Sequence, residues 1–199
     1  EGNALNYSLY VPHDVPALVM LLGGKVKFEK YLDDLFEKHL PDKYFEKTED
    51  ITREGIIGSY VHGNEPSHHV AYLYNWTDSP WKAQQKVRMI LNNQYRNGPD
   101  GLSGNDDCGQ MSAWYILSTL GFYPVNPASG EFVFGSPQVN KATIHLSNNK
   151  SFSIHANNFS EQAIYNEVRL LNGNTCNNPF ITYQEIIDGG NLIFEMTSK

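Results

Sequence analysis

The residues of this chain best suited to chemistry lie in Gly101–Trp114, where Asn105, Asp106 and Asp107 follow Gly104 and precede the apolar helical run Met111–Leu120. Acids at a helix start ordinarily cap it, because their oxygens satisfy unpaired backbone N–H groups and favour the helix dipole. One acid is enough for a cap. Two acids and an amide, beside Gly104 and Gly109, leave oxygens to face something else. A second cluster, His62-Gly-Asn-Glu-Pro-Ser-His-His69, precedes the apolar and aromatic run Val70–Trp76. Pro66 suits the first helical position, where its missing N–H costs nothing. Asn64 and Glu65 then stand at the mouth of that helix, with His68 and His69 in its first turn. A third cluster opens the chain, from Glu1 and Asn3 to His13 and Asp14. Three polar helix mouths, each with a carboxylate, can form a site at one end of a helical bundle. They can equally be capping and turn chemistry.

Four segments, in order, resemble the calcium-dependent exo-acting α-mannosidases of glycoside hydrolase family 92. They are Glu1-Gly-Asn-Ala4 with Val11-Pro-His-Asp-Val15, then His62–His69, Asp100–Trp114 and Gly121-Phe-Tyr-Pro-Val125. The resemblance implies the C-terminal part of an (α/α)6 toroid, followed by antiparallel β-strands that join an N-terminal β-sandwich domain. It implies removal of terminal α-linked mannose, with α-1,2 linkages in N-glycans or mannan the expected target. Inversion at the anomeric carbon and assistance by Ca²⁺ come with it. Carried over position by position, Glu1 matches the general acid and Asp107 the general base. Asn3, His62, Glu65, His68, Asn105 and Asp106 match sugar-proximal positions, and Asn64, Glu65 and Asp107 metal-proximal ones.

Inverting hydrolysis needs two carboxyl groups about 6.5–9.5 Å apart, so that a water fits beneath the sugar. A protonated Glu1 would supply the leaving oxygen, which requires burial or a neighbouring negative charge to raise its pKa. Asp107 would take the proton of the attacking water, which Asn105 could orient. Calcium suits oxygen donors such as Asn64 and Glu65, whereas His62, His68 and His69 together would suit a transition metal. Within the mannosidase resemblance those histidines bind sugar hydroxyls or pack the helix start.

Two positions depart from the family pattern: Leu5 and Leu9 stand where tryptophans are expected. Loss of a pocket wall at Leu5 makes a weakened or non-catalytic mannose-binding relative the alternative reading. A third reading is that the isolated piece is inactive. Glu1 in place of the glutamine of relatives that cleave mannose-1-phosphate diesters points to an ordinary O-glycoside.

The elements that must position these residues follow from spacing. Val15–Leu22 reads as a helix capped by Asp14 and ended by Gly23-Gly24, and Lys25–Phe36 as a second, with Phe28, Tyr31, Leu32, Leu35 and Phe36 on one stripe. Residues 38–60 read as a long polar loop. Helices are expected at about 66–76, 80–96 and 107–120, with Trp76, Trp81 and Trp114 in packing roles. From Phe122 the period becomes two, predicting strands at 131–134, 141–146, 151–155, 168–171 and 191–196, with His145 and His155 on partly exposed strand faces. The expected division is therefore 1–124 helical and 125–199 β-rich.

A hydrophobic fraction of 40% with 13% aromatics supports a packed core. The net charge of −7, with no basic stripe, argues against a nucleic-acid partner. No apolar run reaches the roughly 18 residues of a membrane span. Cys108 and Cys176 are expected as free thiols, Cys108 as a small filler beside the proposed base. The chain opens inside the first motif, so the expectation is the C-terminal portion of a longer enzyme. The family's mostly bacterial, exported members place it outside the cell or at its surface.

Overall fold

A computed structural model describes residues 2–45, 55–147 and 149–198, as two compact units, Glu1–Tyr115 and Ile116–Lys199.

The first unit is helical. The short turn α1 (Ala4–Tyr7) starts where the Asn3 side-chain oxygen accepts from the Leu5 and Asn6 amides. Asp14 caps α2 (Val15–Leu21) by accepting from the Ala17 amide at 3.0 Å. Gly23 and Gly24 end it with φ of 92° each, a conformation that a Cβ would resist. In α3 (Lys25–Glu37) the apolar stripe is buried at Phe28, Leu32, Leu35 and Phe36, as its spacing predicts. Two short strands follow, β1 (Ile56–Ile57) and β2 (Tyr60–Val61), an antiparallel pair at the end of the stretch read as loop, of which residues 46–54 lie outside the described residues. In α4 (Trp81–Asn93), Val87, Ile90 and Leu91 are buried. Trp114 is fully buried, whereas Trp81 is exposed and lies beside the Lys82 ammonium, which corrects its packing role.

The helix expected at 66–76 is instead two 3₁₀ pieces, Glu65–Ser67 and Val70–Trp76. Its side chains explain the change. Val70 to Tyr74 are five consecutive fully buried residues, so no single stripe is singled out for a core. The Asn75 amide and Thr77 hydroxyl also donate to the Tyr72 and Tyr74 carbonyls, three residues back. The tighter coil meets both demands.

Helix α5 (Gln110–Leu120) begins three residues later than expected, and the division between the units falls within it. The second unit has a three-stranded sheet of β3 (Phe122–Tyr123), β4 (Glu131–Phe134) and β9 (Phe180–Thr182), in that order. Its other sheet contains β5 (Lys141–His145), β6 (Ser151–Asn157), β7 (Tyr165–Leu171), β8 (Asn174–Thr175) and β10 (Gly190–Thr197), ordered β5-β6-β10-β7-β8. Period-two alternation buries Phe152, Ile154 and Ala156 of β6 against Leu192, Phe194 and Met196 of β10. His145 is exposed and His155 half-buried on their strands, as expected.

The expectation of antiparallel strands needs one correction, because β6 and β10 pair in parallel. Topology requires it. The last strand inserts between β6 and β7, which run in opposite senses, so it must parallel one of them.

A short helix, α6 (Tyr183–Ile187), escapes a search for period two, yet Thr182 and Glu185 form a reciprocal capping box at its start. Thr182→Ala is expected to cost about 1 kcal/mol. Hydrogen exchange at 183–187 would show it as loss of protection confined to that turn; unchanged protection would contradict it.

Candidate active site

The chain start is stitched to β2 by two amides. The Asn3 and Asn6 side-chain nitrogens donate to the Ser59 carbonyl at 2.8 and 2.7 Å. The Asn6 oxygen in turn accepts from the Ser67 hydroxyl at 3.0 Å and from the Val61 amide at 3.3 Å. Both asparagines are buried, so each polar atom spent here offsets its own desolvation. Asn3, expected near the sugar, thus uses its side chain to cap α1 and hold Ser59. Gly2, at φ 61°, places its missing Cβ 3.4 Å from Asn64 Oδ1. The residue after Glu1 therefore lies close to Asn64. Glu1 itself, the expected acid, lies outside the described residues.

The acidic loop reaches the same segment through glycines. A Cβ on Gly63 would stand 2.5 Å from the Ser103 carbonyl oxygen, and one on Gly104 would stand 2.5 Å from that of Gly63. Backbone lies on backbone here, which only glycine permits. Asn64 is buried beside the half-buried Glu65, with its side-chain nitrogen 3.5 Å from Glu65 Oε2. The three motifs meet in one place.

Within the loop the two acids differ. Asp106 is the cap: its carboxylate accepts from the Ser112 amide at 2.9 Å and the Ser112 hydroxyl at 3.0 Å. Asp107 is exposed, and with Cys108 and Gly109 it forms three consecutive left-handed residues, at φ 43°, 59° and 89°. Non-glycine residues there store strain of order 1 kcal/mol each, which tends to collect at functional sites. Asn105 is exposed beside them. Cys108 and Cys176 are free, but Cys108 is exposed, so it fills no core as expected of it. The left-handed turn explains this by carrying the side chain outward.

Beneath the loop lie the histidines, all buried. His68 donates from Nε2 to the His62 carbonyl at 2.9 Å, while its Nδ1 lies 3.2 Å from the Gln110 side-chain nitrogen. Trp114 donates to the His68 carbonyl at 2.9 Å, and His69 donates to the Leu9 carbonyl at 2.9 Å. The ring of His62 lies between the hydroxyls of Tyr60 and Tyr95, both 2.8 Å away. Of the two roles open to these histidines, packing is the one these contacts serve. Tyr60 and Tyr95 lie in no motif, and Gln110, though inside Asp100–Trp114, is not marked by its residue type as a candidate. Leu9 is fully buried core, and Leu5 is half-buried with its carbonyl held by the Tyr31 hydroxyl at 3.0 Å.

Burial keeps the imidazoles neutral. It lowers His68 from 6.5 to about 4, against the pull of the His62 carbonyl and nearby Asp107. Burial likewise lowers His69, opposed by its bond to Leu9. An unfolded chain takes up these protons below about 6.5 while the folded chain refuses them, so folded stability is full above that pH and falls towards pH 4. Urea midpoints of the full-length protein should drop as pH falls through this window, less steeply in His69→Gln. A flat midpoint would contradict the buried neutral state.

The donor chemistry fits a hard cation. Asn64, Glu65 and Asp107 offer only oxygens, and the nitrogens of His62, His68 and His69 that face partners are spent within the protein. Among the described residues no group of three or more His, Cys, Asp or Glu side chains is placed to hold a metal ion. Two or three protein oxygens fall short of the six to eight that Ca²⁺ takes, so water and substrate hydroxyls would supply the rest.

Residues 1–198 match the family model for the glycosyl hydrolase family 92 catalytic domain. The chain belongs to glycosyl hydrolase family 92. A GH92 α-mannosidase of Bacteroides thetaiotaomicron, in complex with mannoimidazole, superposes with a TM-score of 0.92 at 46% identity, over 100% of this chain and 26% of that one. An inverting GH92 mannosidase from the same bacterium gives a TM-score of 0.85 at 34% identity, over 100% of this chain and 28% of that one. An uncharacterized secreted glycosidase of Arthroderma benhamiae is 26% identical over 195 residues, 96% of this chain and 23% of that protein. The GH92 chain thus spans about a quarter of the length of these relatives. None of its described helices is long and apolar enough to cross a membrane.

Proposed function

We propose that this chain supplies part of the active site of an exo-acting α-mannosidase, which cleaves terminal α-1,2-linked mannose with inversion. The observation that carries the reading is the glycine contact that lays Ser103-Gly104, which lead to Asp107, on Gly63, the residue before Asn64–Glu65, with Gly2 beside Asn64. Three segments far apart in sequence thus approach one another at Gly63-Asn64, which supports a shared site for the side chains they carry. The mannosidase structures it resembles and their mannoimidazole complex support mannose as the sugar.

In this reading Glu1 donates a proton to the departing oxygen, and Asp107 removes one from the water that attacks the anomeric carbon from the opposite face. Exposure keeps the Asp107 carboxylate available as a base, and the left-handed turn holds it clear of the helix it precedes. Asn105 orients the water, and Glu65 faces sugar or metal. Asn64, Glu65 and Asp107 would hold Ca²⁺, which would bind ring hydroxyls of the sugar and favour the flattened ring of the transition state. The secreted fungal relative supports action outside the cell, and the two Bacteroides structures support a bacterial source.

The full-length enzyme incubated with α-1,2-mannobiose should release mannose whose first-formed anomer is β, read by proton NMR. Removal of calcium by a chelator should abolish turnover, and calcium should restore it where zinc does not. Release of α-mannose, binding without release, or activity untouched by the chelator would each overturn the corresponding part.

A further inference from the structure

His62 is fully buried, and its two ring nitrogens each meet a hydroxyl: Nδ1 lies 2.8 Å from the Tyr60 oxygen and Nε2 2.8 Å from that of Tyr95. The Tyr95 hydroxyl also lies 3.1 Å from the Met111 carbonyl oxygen, in the first turn of α5. A carbonyl oxygen only accepts, so the single Tyr95 proton goes to Met111. The Tyr95 oxygen must then accept from the imidazole. That puts the ring proton on Nε2 and leaves Nδ1 to accept from Tyr60. The opposite tautomer would oppose lone pairs of Tyr95 and Met111 at 3.1 Å. Hydrogen bonds therefore run one way, from β2 through the imidazole into α5.

The surrounding contacts make this link stiff. The Trp114 ring stands 4.4 Å from the His62 ring, centre to centre, and stacks on Tyr95 at 5.8 Å with an interplanar angle of 3°. The His62 carbonyl accepts from His68, and the His68 carbonyl accepts from Trp114. One end of the chain of bonds is thus the backbone that leads directly to Asn64 and Glu65. The other is the helix start that follows Asp107.

We propose that His62 is a positioning residue for the general base, fixing α5 and the Asp107 turn relative to Asn64–Glu65 through the Tyr60–His62–Tyr95–Met111 chain. The role rests on the reading of Asp107 as base. Both ring nitrogens face protein, so His62 acts on turnover through α5 and not by touching the sugar.

The test uses the full-length enzyme and an aryl α-mannoside. His62→Leu, which removes both bonds, should lower kcat about 10–100-fold with KM little changed, the size expected of a group that orients another. His62→Gln, whose side-chain nitrogen can still donate to Tyr95, should recover most of the loss. Tyr95→Phe deletes one hydroxyl and keeps the ring packing, and should lower kcat about tenfold with a Tm lowered by no more than a few degrees; it carries the test if His62→Leu does not fold. A raised KM with normal kcat in His62→Leu would mean direct sugar contact and overturn the proposal. So would equal losses in the Gln and Leu variants, or wild-type kcat in Tyr95→Phe. Asp107→Asn assayed alongside separates the two readings. If it is inactive while the His62 and Tyr95 variants turn over normally, only the positioning role falls; if it is fully active, the base assignment falls first.

Discussion

Asp107→Asn in the full-length enzyme is expected to lower kcat on an α-mannoside by about 10²–10⁴-fold, the usual contribution of a general base. With calcium held at saturation, Tm should change little, and any rise in KM should be small beside the fall in kcat. Asp107 is exposed and its neighbour Asp106 does the capping, so the substitution removes a charge without removing a structural bond that α5 depends on. The backbone also tolerates it, because asparagine enters the left-handed region at least as readily as aspartate, and φ here is 43°. The contrast with Asp106→Asn sharpens the expectation. That amide keeps an oxygen for the Ser112 amide but must donate to the Ser112 hydroxyl in place of accepting from it, and it lacks the charge favoured at a helix start, so the helix start loosens and stability falls along with rate. Steady-state kinetics and thermal unfolding on both variants distinguish the roles. Near-normal turnover in Asp107→Asn, or a loss of Tm as large as that of Asp106→Asn, would contradict the assignment.

Much of this was legible in the sequence, and particular residues show where legibility ends. Phe28, Leu32, Leu35 and Phe36 reveal α3 because one face is buried and the other wet, so the period of the helix is written in polarity. The same logic fails at Val70–Tyr74, where burial on every side erases the stripe and the backbone tightens to 3₁₀. Strands β6 and β10 announce themselves by alternation, but their parallel pairing does not, since alternation carries no direction. At the site, residue type marked Asn64, Glu65 and Asp107 as chemically able. It did not show that Asp106 is spent on Ser112, or that Tyr60 and Tyr95 enclose His62. The His62–Tyr95 contact joins segments 33 residues apart, for which a single sequence holds no local signal, and the Asp106–Ser112 bond, though only six residues apart, depends on the path the loop takes between them. The glycines were the available clue. Gly63 and Gly104 stand inside motifs where a turn alone would explain them, and the reason for both is close approach of one to the other.

That approach carries the second large effect. Gly104→Ala in the full-length enzyme is expected to cost about 1–3 kcal/mol of stability and roughly 10²-fold in kcat/KM. The added Cβ would lie 2.5 Å from the Gly63 carbonyl oxygen and 2.6 Å from the Gly63 Cα, both backbone atoms that cannot rotate away. The φ of Gly104 is not in the left-handed region, so alanine suffers no conformational penalty and the whole effect is steric. To relieve the clash, the loop must lift from the 62–65 segment by about an ångström, and Asp107 moves with it. A displacement of that size is enough to spoil the alignment of a base with its water. Gly98→Ala is the internal control, since its Cβ would meet only the Asp100 carboxylate oxygen at 3.2 Å, the end of a mobile side chain. Thermal unfolding and kcat/KM measured on the pair should separate widely. If Gly104→Ala matches Gly98→Ala in both, the two loops are not clamped by their backbones, and the geometry that joins Asp107 to Asn64 and Glu65 is wrong.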